Sequence, residues 1–252
     1  MVISIIALLV SILMPALSKA RQKSKAVVCL SQLRQWGAIT AMYCQDNDDK
    51  LYQSDTVAGA SREEIKQAYW VVASLPYYQN KEIRKCPSTK EINRAAGYHY
   101  GKTDEMWGPL PSSLAWAEEF STGSYGINEW CACPPGNSIW GFSSNATWKN
   151  SSVRNGSEIP VFLDSKFVDG FVKETDLPPT TLEEHNGWGS NGIRMFCIPR
   201  HGIGVNAVFL DGSAHFVELK KLWQLRWHKS YKINNAWTKT DAVWPDWMSR
   251  IK

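Results

Sequence analysis

The chain has 252 residues, of which 44% are hydrophobic and 21% charged, so it is no disordered polar tail and is long enough for one or two folded domains. Its 28 basic and 24 acidic residues give a formal net charge of +4, but no acidic residue precedes Asp46. The excess of positive charge therefore belongs to the N-terminal segment. A basic face across a whole domain is absent from this pattern, and we expect no nucleic-acid partner.

The chain opens with an uncharged apolar run at residues 2–17, VISIIALLVSILMPAL. A helix that spans the hydrocarbon core of a membrane needs about 20 such residues, so this run is short. A cleaved signal peptide is one alternative, with a small-residue cleavage site near Ala16, but no basic segment precedes the apolar run. Basic residues follow the run at 19–25 instead.

The pattern after the basic residues predicts that the same helix continues. Apolar and small residues recur at spacings of three and four, which is typical of one helix face. We therefore predict one helix from about residue 2 to about residue 45, ended by a solvated turn at 46–49. The residues of this face are Ala26, Leu30, Leu33, Gly37, Thr40 and Cys44.

The remainder of the chain predicts strands and long loops. Residues 159–164 form a β-like run, and residues 205–211 and 214–219 form two more, joined through Asp211 and Gly212. An Asp-Gly pair between two such runs indicates a β-hairpin, for which a type I′ turn with positive φ is expected. One long helix followed by antiparallel strands defines an α+β fold class.

Two of these segments resemble one protein family. The N-terminal helix is similar to that of type II secretion pseudopilin-like proteins, which carry a prepilin-type cleavage and methylation segment. His201, nine further residues, and then Asp211 and Gly212 match the His–nine residues–Asp-Gly signature at the C-terminus of this group. The basic leader, the cleavage site and the early Glu of the family are missing from the sequence as given. We therefore expect that Met1 aligns inside the apolar run and that the chain is N-terminally truncated.

The resemblance implies a pilin-like fold, in which a long N-terminal helix packs on an antiparallel sheet with long loops. It assigns residues 1–25 to a segment in the membrane or filament core and residues 26–252 to a periplasm-facing globular domain. Helix 26–45 would pack on the sheet of that domain. The protein would reside in the bacterial inner membrane as a single-pass protein, with its globular domain in the periplasm or at the cell surface.

The resemblance also implies a function, that of a non-enzymatic subunit of a type II secretion or type IV pilus-like assembly. Its partners would be further copies of itself and other pilin-like subunits, contacted through the N-terminal helix, together with the inner membrane and the secretion or pilus machinery. The residues predicted to carry anchoring and assembly are Ile5, Ile6, Leu8, Leu9, Ile12 and Leu13.

The sequence contains no pattern that requires catalysis, a cofactor or a metal. His201 and Asp211 would lie at opposite ends of a strand about 20 Å long, so we expect structural roles, with Asp211 shaping the turn and His201 bonding in the loop before the strand. A ligand or metal role for this pair is the alternative. A G-x-G-x-x-G run at 187–192 follows a polar stretch rather than a strand, which argues against a dinucleotide site.

Six cysteines and a cluster of tryptophans complete the candidates. Cys29 and Cys44 are interpreted as small packing residues of the helix. The other four cysteines permit three pairings, and one or two disulfides are plausible if the domain lies outside the cytoplasm. Five tryptophans occur between Trp223 and Trp247. They either pack the C-terminal region onto the sheet or form a stacking surface, and the second option supports an alternative function as a membrane-tethered, glycan-binding module.

Overall fold

A computed structural model of the chain describes residues 2–54, 69–91, 100–109, 122–184 and 191–251. Within these residues one long helix dominates, and three single-turn helices and several 3₁₀ turns accompany seven short strands. The α-helices are α1 (Val2–Asp46), α2 (Trp70–Ala73), α3 (Ile193–Phe196) and α4 (Asp246–Ser249). The strands are β1 (Tyr125–Asn128), β2 (Ser138–Ile139), β3 (Phe142–Ser143), β4 (Pro160–Asp164), β5 (Asp169–Gly170), β6 (Gly204–Phe209) and β7 (Ala214–Glu218).

Five strands form the main sheet in the order β5-β1-β4-β6-β7. The pairs β1–β4, β4–β6 and β6–β7 are antiparallel, while β1 and β5 pair in parallel. Strands β2 and β3 make a separate antiparallel pair. The architecture is a long helix with a mostly antiparallel sheet, so the predicted α+β class is confirmed.

Helix α1 is continuous over 45 residues and ends where the sequence predicted. Asp48 and Asp49 follow it with positive φ angles of 54° and 62°, so the chain leaves the right-handed helical region there. Its C-terminal half packs across β4, β6 and β7. The core therefore lies between one face of α1 and the sheet.

The buried face of α1 differs in part from the predicted one. Leu33, Thr40 and Cys44 are buried as expected, but Trp36 is also completely buried although it lies outside the predicted stripe. Its ring lies 5.2 Å from that of Phe162 in β4, and its Nε1 donates to the Ile83 carbonyl at 3.0 Å. The helix is covered by the segment around Ile83 as well as by the sheet, so its buried face is wider than one stripe.

The N-terminal half of α1 has a different environment. From Ile3 to Lys25, every residue whose exposure is described is exposed, and Cys29 is the first buried one. The helix therefore leaves the domain at Cys29 and projects from it. Within the described residues, no helix combines the length and the apolar character needed to cross a membrane.

The predicted hairpin is present as β6 and β7, with Val208 opposite Ala214. The expected type I′ turn is wrong. Of Asp211 and Gly212, only Gly212 has a positive φ, at 81°, and the Phe209 N–H bonds to the Ser213 carbonyl at 2.8 Å. The connection is longer because β6 ends at Phe209, before the end of the predicted run at Asp211, while β7 begins at Ala214 as predicted.

The C-terminal tryptophans lie against the core. Trp223 and Trp227 are completely buried, and Trp237, Trp244 and Trp247 are partly buried beside them. The Trp223 and Trp244 rings meet edge to face at 5.2 Å. These positions favour the packing interpretation of the cluster over an exposed stacking surface.

Close contact between α1 and β6 makes Gly37 sensitive to substitution. A Cβ atom at this position would lie 2.8 Å from Val208 Cγ2. We predict that Gly37→Leu lowers the free energy of unfolding by about 2 kcal/mol, because overpacking outweighs the better helix propensity of leucine. Urea unfolding measures the change. Ala38→Leu on the exposed neighbouring position is the control and should be near neutral.

The same contact can be tested by compensation. Gly37→Leu combined with Val208→Ala should be less destabilised than the sum of the two single variants, because the smaller side chain makes room for the leucine. Strict additivity would show that the two positions do not meet.

Candidate functional site

Four side chains with metal-ligand or nucleophilic chemistry meet where α1 leaves the domain. They are Cys29 of α1, Cys86 after the 3₁₀ turn Lys81–Arg84, Asp164 at the end of β4, and His201 in the loop before β6. One sulfur, nitrogen or oxygen atom from each lies within 4.8 Å of all the others. We call this group the neck cluster.

Local backbone structure positions two members of the neck cluster. Cys86 begins a turn in which the Thr89 N–H donates to the Cys86 carbonyl at 2.9 Å. His201 lies in a tight loop in which its N–H donates to the Gly204 carbonyl at 3.1 Å. Gly202 in that loop has a φ of 91°, which favours glycine. In these turns the side chains of Cys86 and His201 point toward each other, and His201 contacts Cys29 of α1 and Asp164 of β4.

The contacts within the neck cluster converge on one atom. His201 Nε2 lies 3.1 Å from Asp164 Oδ2, 3.2 Å from Cys29 Sγ and 3.7 Å from Cys86 Sγ. Cys29 Sγ is in turn 3.5 Å from Asp164 Oδ1. The side chains of His201 and Asp164 are 2% and 0% exposed, and both cysteines are buried. The cluster is therefore a compact polar group inside the core.

A buried cation adjoins the neck cluster. Arg200 Nη1 lies 3.3 Å from Asp164 Oδ1, and neither side chain is exposed. The guanidinium also donates to the carbonyls of Lys102, Thr103 and Ser165, at 3.0 to 3.1 Å. Because its donors are bound on several sides, Arg200 holds a fixed positive charge beside the cluster.

These charges determine the protonation tendencies of the group. Burial works against the ionised form of Asp164, but His201 and Arg200 outweigh it and lower the pKa of this carboxyl below its usual value. Burial likewise opposes a charged His201, yet Asp164 and Cys86 raise its pKa to about 9. Burial raises the pKa of the Cys29 thiol well above normal. The pKa of Cys86 is lowered to about 6 despite burial, through hydrogen bonds from Cys29 and His201 and the charge of Arg200.

A thiol, an imidazole and a carboxylate also occur together in cysteine-based catalysis, but this geometry does not fit that use. A catalytic histidine uses one ring nitrogen for the nucleophile and the other for the orienting carboxylate. Here Asp164 and both sulfurs approach the same nitrogen of His201. The buried sulfurs also leave a substrate no access.

The structure separates His201 from the residues it was paired with in the sequence motif. Asp211 lies in the β6–β7 loop, where its Oδ1 accepts from the Ser213 N–H at 2.9 Å, and Gly212 follows it. His201 contacts Asp164 instead. Of the G-x-G-x-x-G run at 187–192, residues 187–190 lie outside the described residues.

Sequence reasoning missed three of the four cluster members. All six cysteines are free thiols in the structure, and Cys29, interpreted as a packing residue, faces Asp164 and His201. Two signals were available in the sequence. Asp164 is a charged residue at the end of an apolar strand, and Cys86 stands before Pro87 in a turn-forming pair. Neither one reveals its partners, because Cys29 and His201 are 172 residues apart.

The predicted assembly residues lie on the projecting half of α1. Leu9 is 55% exposed and Leu13 is 63% exposed, and Ile6 and Ile12 are exposed as well. The side chains of Ile5 and Leu8 lie outside the described part of the structure.

A separate cavity of about 370 Å³ lies beside β5, and its lining residues do not include those of the neck cluster. Its walls are mainly aromatic and include Tyr100, Trp140, Phe142, Phe167 and Phe171. Trp140 is 43% exposed at its rim. A concave aromatic surface of this kind can bind an apolar or sugar-like ligand.

Comparisons of the chain with protein-family models, curated proteins and solved structures return no match. The pseudopilin-like resemblance therefore stays a prediction based on its motifs.

The buried Arg200 generates a stability prediction. Arg200→Met should lower the free energy of unfolding by about 3–5 kcal/mol, because it removes the fixed cation beside the buried Asp164 carboxylate and leaves the carbonyls of Lys102, Thr103 and Ser165 without the donor they bind. Lys90→Met is the control, since the Lys90–Asp104 pair is exposed and spans 3.7 Å. That variant should change stability by less than about 1 kcal/mol. Equal effects of the two substitutions in urea unfolding would contradict the assigned role of Arg200.

Proposed function

We propose that this protein is a non-enzymatic, pseudopilin-like subunit that is anchored by, and assembles through, the projecting half of α1. The observation that carries the proposal is a single helix with two environments. Its C-terminal half is buried against a sheet, and its N-terminal half exposes large apolar side chains. Soluble domains rarely expose such a continuous apolar surface unless it has a partner.

The distribution of these side chains favours a bundle of several helices. At 3.6 residues per turn, the exposed apolar residues cover about 200° of the helix circumference. A helix that is apolar over most of its surface belongs in a hydrophobic interior rather than on a single flat contact. These residues are Ile3, Ile6, Leu9, Val10, Ile12, Leu13, Met14 and Leu17.

The occupant that we propose for this surface is the same helix of further copies or of other pilin-like subunits. Exposed basic residues at 19–25 separate the apolar segment from the domain, and such residues suit the boundary between an apolar interior and water. Before assembly, the apolar segment would reside in the bacterial inner membrane, with the domain on the periplasmic or cell-surface side. The pilin-like fold and the secretion or pilus machinery as partner belong to this proposal.

Assembly through α1 predicts a position-specific effect of charge. Leu9→Asp and Leu13→Asp should each weaken membrane association and self-crosslinking of the full chain by at least about tenfold, because a buried unpaired charge costs more than 1.4 kcal/mol. Val27→Asp is the matched control, since Val27 is 67% exposed on the part of α1 beside the domain. Its variant should behave as the parent protein does.

The measurement is membrane fractionation together with site-specific crosslinking in bacterial cells. Unchanged localisation and crosslinking of both Leu9→Asp and Leu13→Asp would overturn the proposed function.

The aromatic cavity supports a second candidate function, a membrane-tethered module that binds glycan. Because the tryptophans of the C-terminal region are packed against the core, the binding site that we consider for this function is the cavity beside β5. We predict that Trp140→Ala lowers the affinity for a bound oligosaccharide by about tenfold or more, since losing about 60 Å² of apolar contact between a sugar ring and the indole costs about 1.5 kcal/mol at about 25 cal/mol per Å². Calorimetry against an oligosaccharide panel checks this, with Phe216→Ala as control, since Phe216 is an aromatic residue of similar exposure that does not line the cavity. Failure of the parent protein to bind any member of the panel would eliminate this candidate.

A further inference from the structure

We propose that the neck cluster is a zinc site, in which Cys29, Cys86, Asp164 and His201 bind one zinc ion through two sulfurs, one oxygen and one nitrogen. This inference is independent of the proposed assembly function. It follows from the spacing of four ligand atoms, from their hydrogen-bonding capacity and from the charge around them.

The spacing agrees with a tetrahedral ion. Zinc bonds of about 2.3 Å to sulfur and about 2.0–2.2 Å to nitrogen or oxygen put ligand atoms about 3.4 Å apart for N and O and about 3.6 Å apart for S and N. The corresponding distances here are 3.1 Å from His201 to Asp164, and 3.2 and 3.7 Å from His201 to the two cysteines. These three separations lie within about 0.4 Å of the tetrahedral values, and all four ligand atoms lie within 4.8 Å of one another, so one ion could contact all of them.

Hydrogen bonding can satisfy only one of the three groups that approach His201 Nε2 at a time. One imidazole nitrogen carries either one proton or one lone pair, so it can make one good hydrogen bond. Three groups nevertheless approach His201 Nε2, and all of them are buried. A central cation accepts electron pairs from all four ligands at once, which removes the competition.

The surrounding charge balances a zinc ion. Two thiolates and one carboxylate carry three negative charges, while zinc carries two positive charges, and Arg200 supplies the third beside Asp164. The buried site is therefore neutral when the metal is bound. Neutrality matters because an uncompensated charge in the core is expensive.

A second shell holds the ligands in place. The Asn206 N–H donates to Asp164 Oδ2 at 2.9 Å, and the Ser88 N–H donates to Cys86 Sγ at 3.5 Å. Such bonds orient ligands and strengthen metal binding. The donor set also favours zinc over calcium, because thiolates and imidazole suit zinc, whereas calcium takes oxygen ligands.

The proposed ion would act as a structural clamp. It joins α1 to the turn after Lys81–Arg84, to the end of β4 and to the loop before β6, four segments far apart in the chain. Cys29 is the first buried residue of α1 among those described, so the clamp would set the direction in which the projecting helix leaves the domain.

Metal content of the full chain, purified in detergent under reducing conditions from zinc-supplemented cells, provides the first test. We expect about one zinc ion per parent chain, and at least about tenfold less in Cys29→Ser and in His201→Gln. Cys44→Ser is the matched control, since Cys44 is a buried cysteine on the same helix outside the cluster, and it should retain zinc. Near-ultraviolet circular dichroism checks that each variant is folded.

Two measurements on the parent chain alone keep the test valid if a variant fails to fold. Cobalt(II) chloride added to the metal-depleted chain should produce the strong visible absorption of tetrahedral cobalt and a near-ultraviolet thiolate-to-cobalt band. Zinc chloride should raise the melting temperature of the depleted chain by about 5 °C or more.

Several outcomes would overturn the zinc site. The first is a folded, reduced parent chain with all six thiols titratable that binds neither zinc nor cobalt. The second is a weak octahedral cobalt spectrum without a thiolate band. The third is zinc that stays bound in both Cys29→Ser and His201→Gln, and the fourth is a Cys29–Cys86 disulfide in a chain that takes up no metal after reduction.

Discussion

The buried carboxylate of Asp164 is the interaction on which the junction between helix and sheet depends. It stands at the end of β4 and contacts Cys29 of α1, Arg200, His201 and the backbone of Asn206 in β6. A carboxylate without water needs positive charge and donors on every side, so each neighbouring segment must approach it in one arrangement. The polar requirement of one group therefore fixes how α1 lies across the sheet and brings the neck cluster together.

The second constraint is that one helix crosses two environments without a break. On the C-terminal side of the neck cluster, Trp36 is buried against the sheet and the segment around Ile83. On the N-terminal side, the large apolar side chains of α1 whose exposure is described are exposed. Burial on one side stabilises the helix enough to hold the projecting half in helical form, since helix propagation is favourable once a segment is nucleated. A zinc ion bound at Cys29 would fix the angle between the domain and that projecting half. The proposed zinc site would therefore affect the geometry of the proposed assembly, although neither proposal depends on the other.

Much of the fold was accessible from local patterns. The length of α1, its end near Asp46 and the β6–β7 hairpin all follow from periodicity and from turn residues, which act over a few neighbouring positions. Burial of Trp36 and the longer hairpin loop were not accessible, because they depend on which distant segment covers a helix face and on where two strands stop pairing. The C-terminal tryptophans show the same limit, since composition allowed both packing and exposure until Trp223 and Trp244 were seen in contact.

The sequence by itself determined the α+β class, the continuous N-terminal helix and the division between an apolar, basic-flanked segment and a nearly neutral remainder. Only the tertiary structure decided that His201 faces Cys29, Cys86 and Asp164 rather than Asp211, although Asp211 is much nearer along the chain. The reason is physical. Helix and hairpin signals arise from interactions between residues close in sequence, whereas a cluster of ligands is assembled by chain folding, and its members carry no local sign of one another.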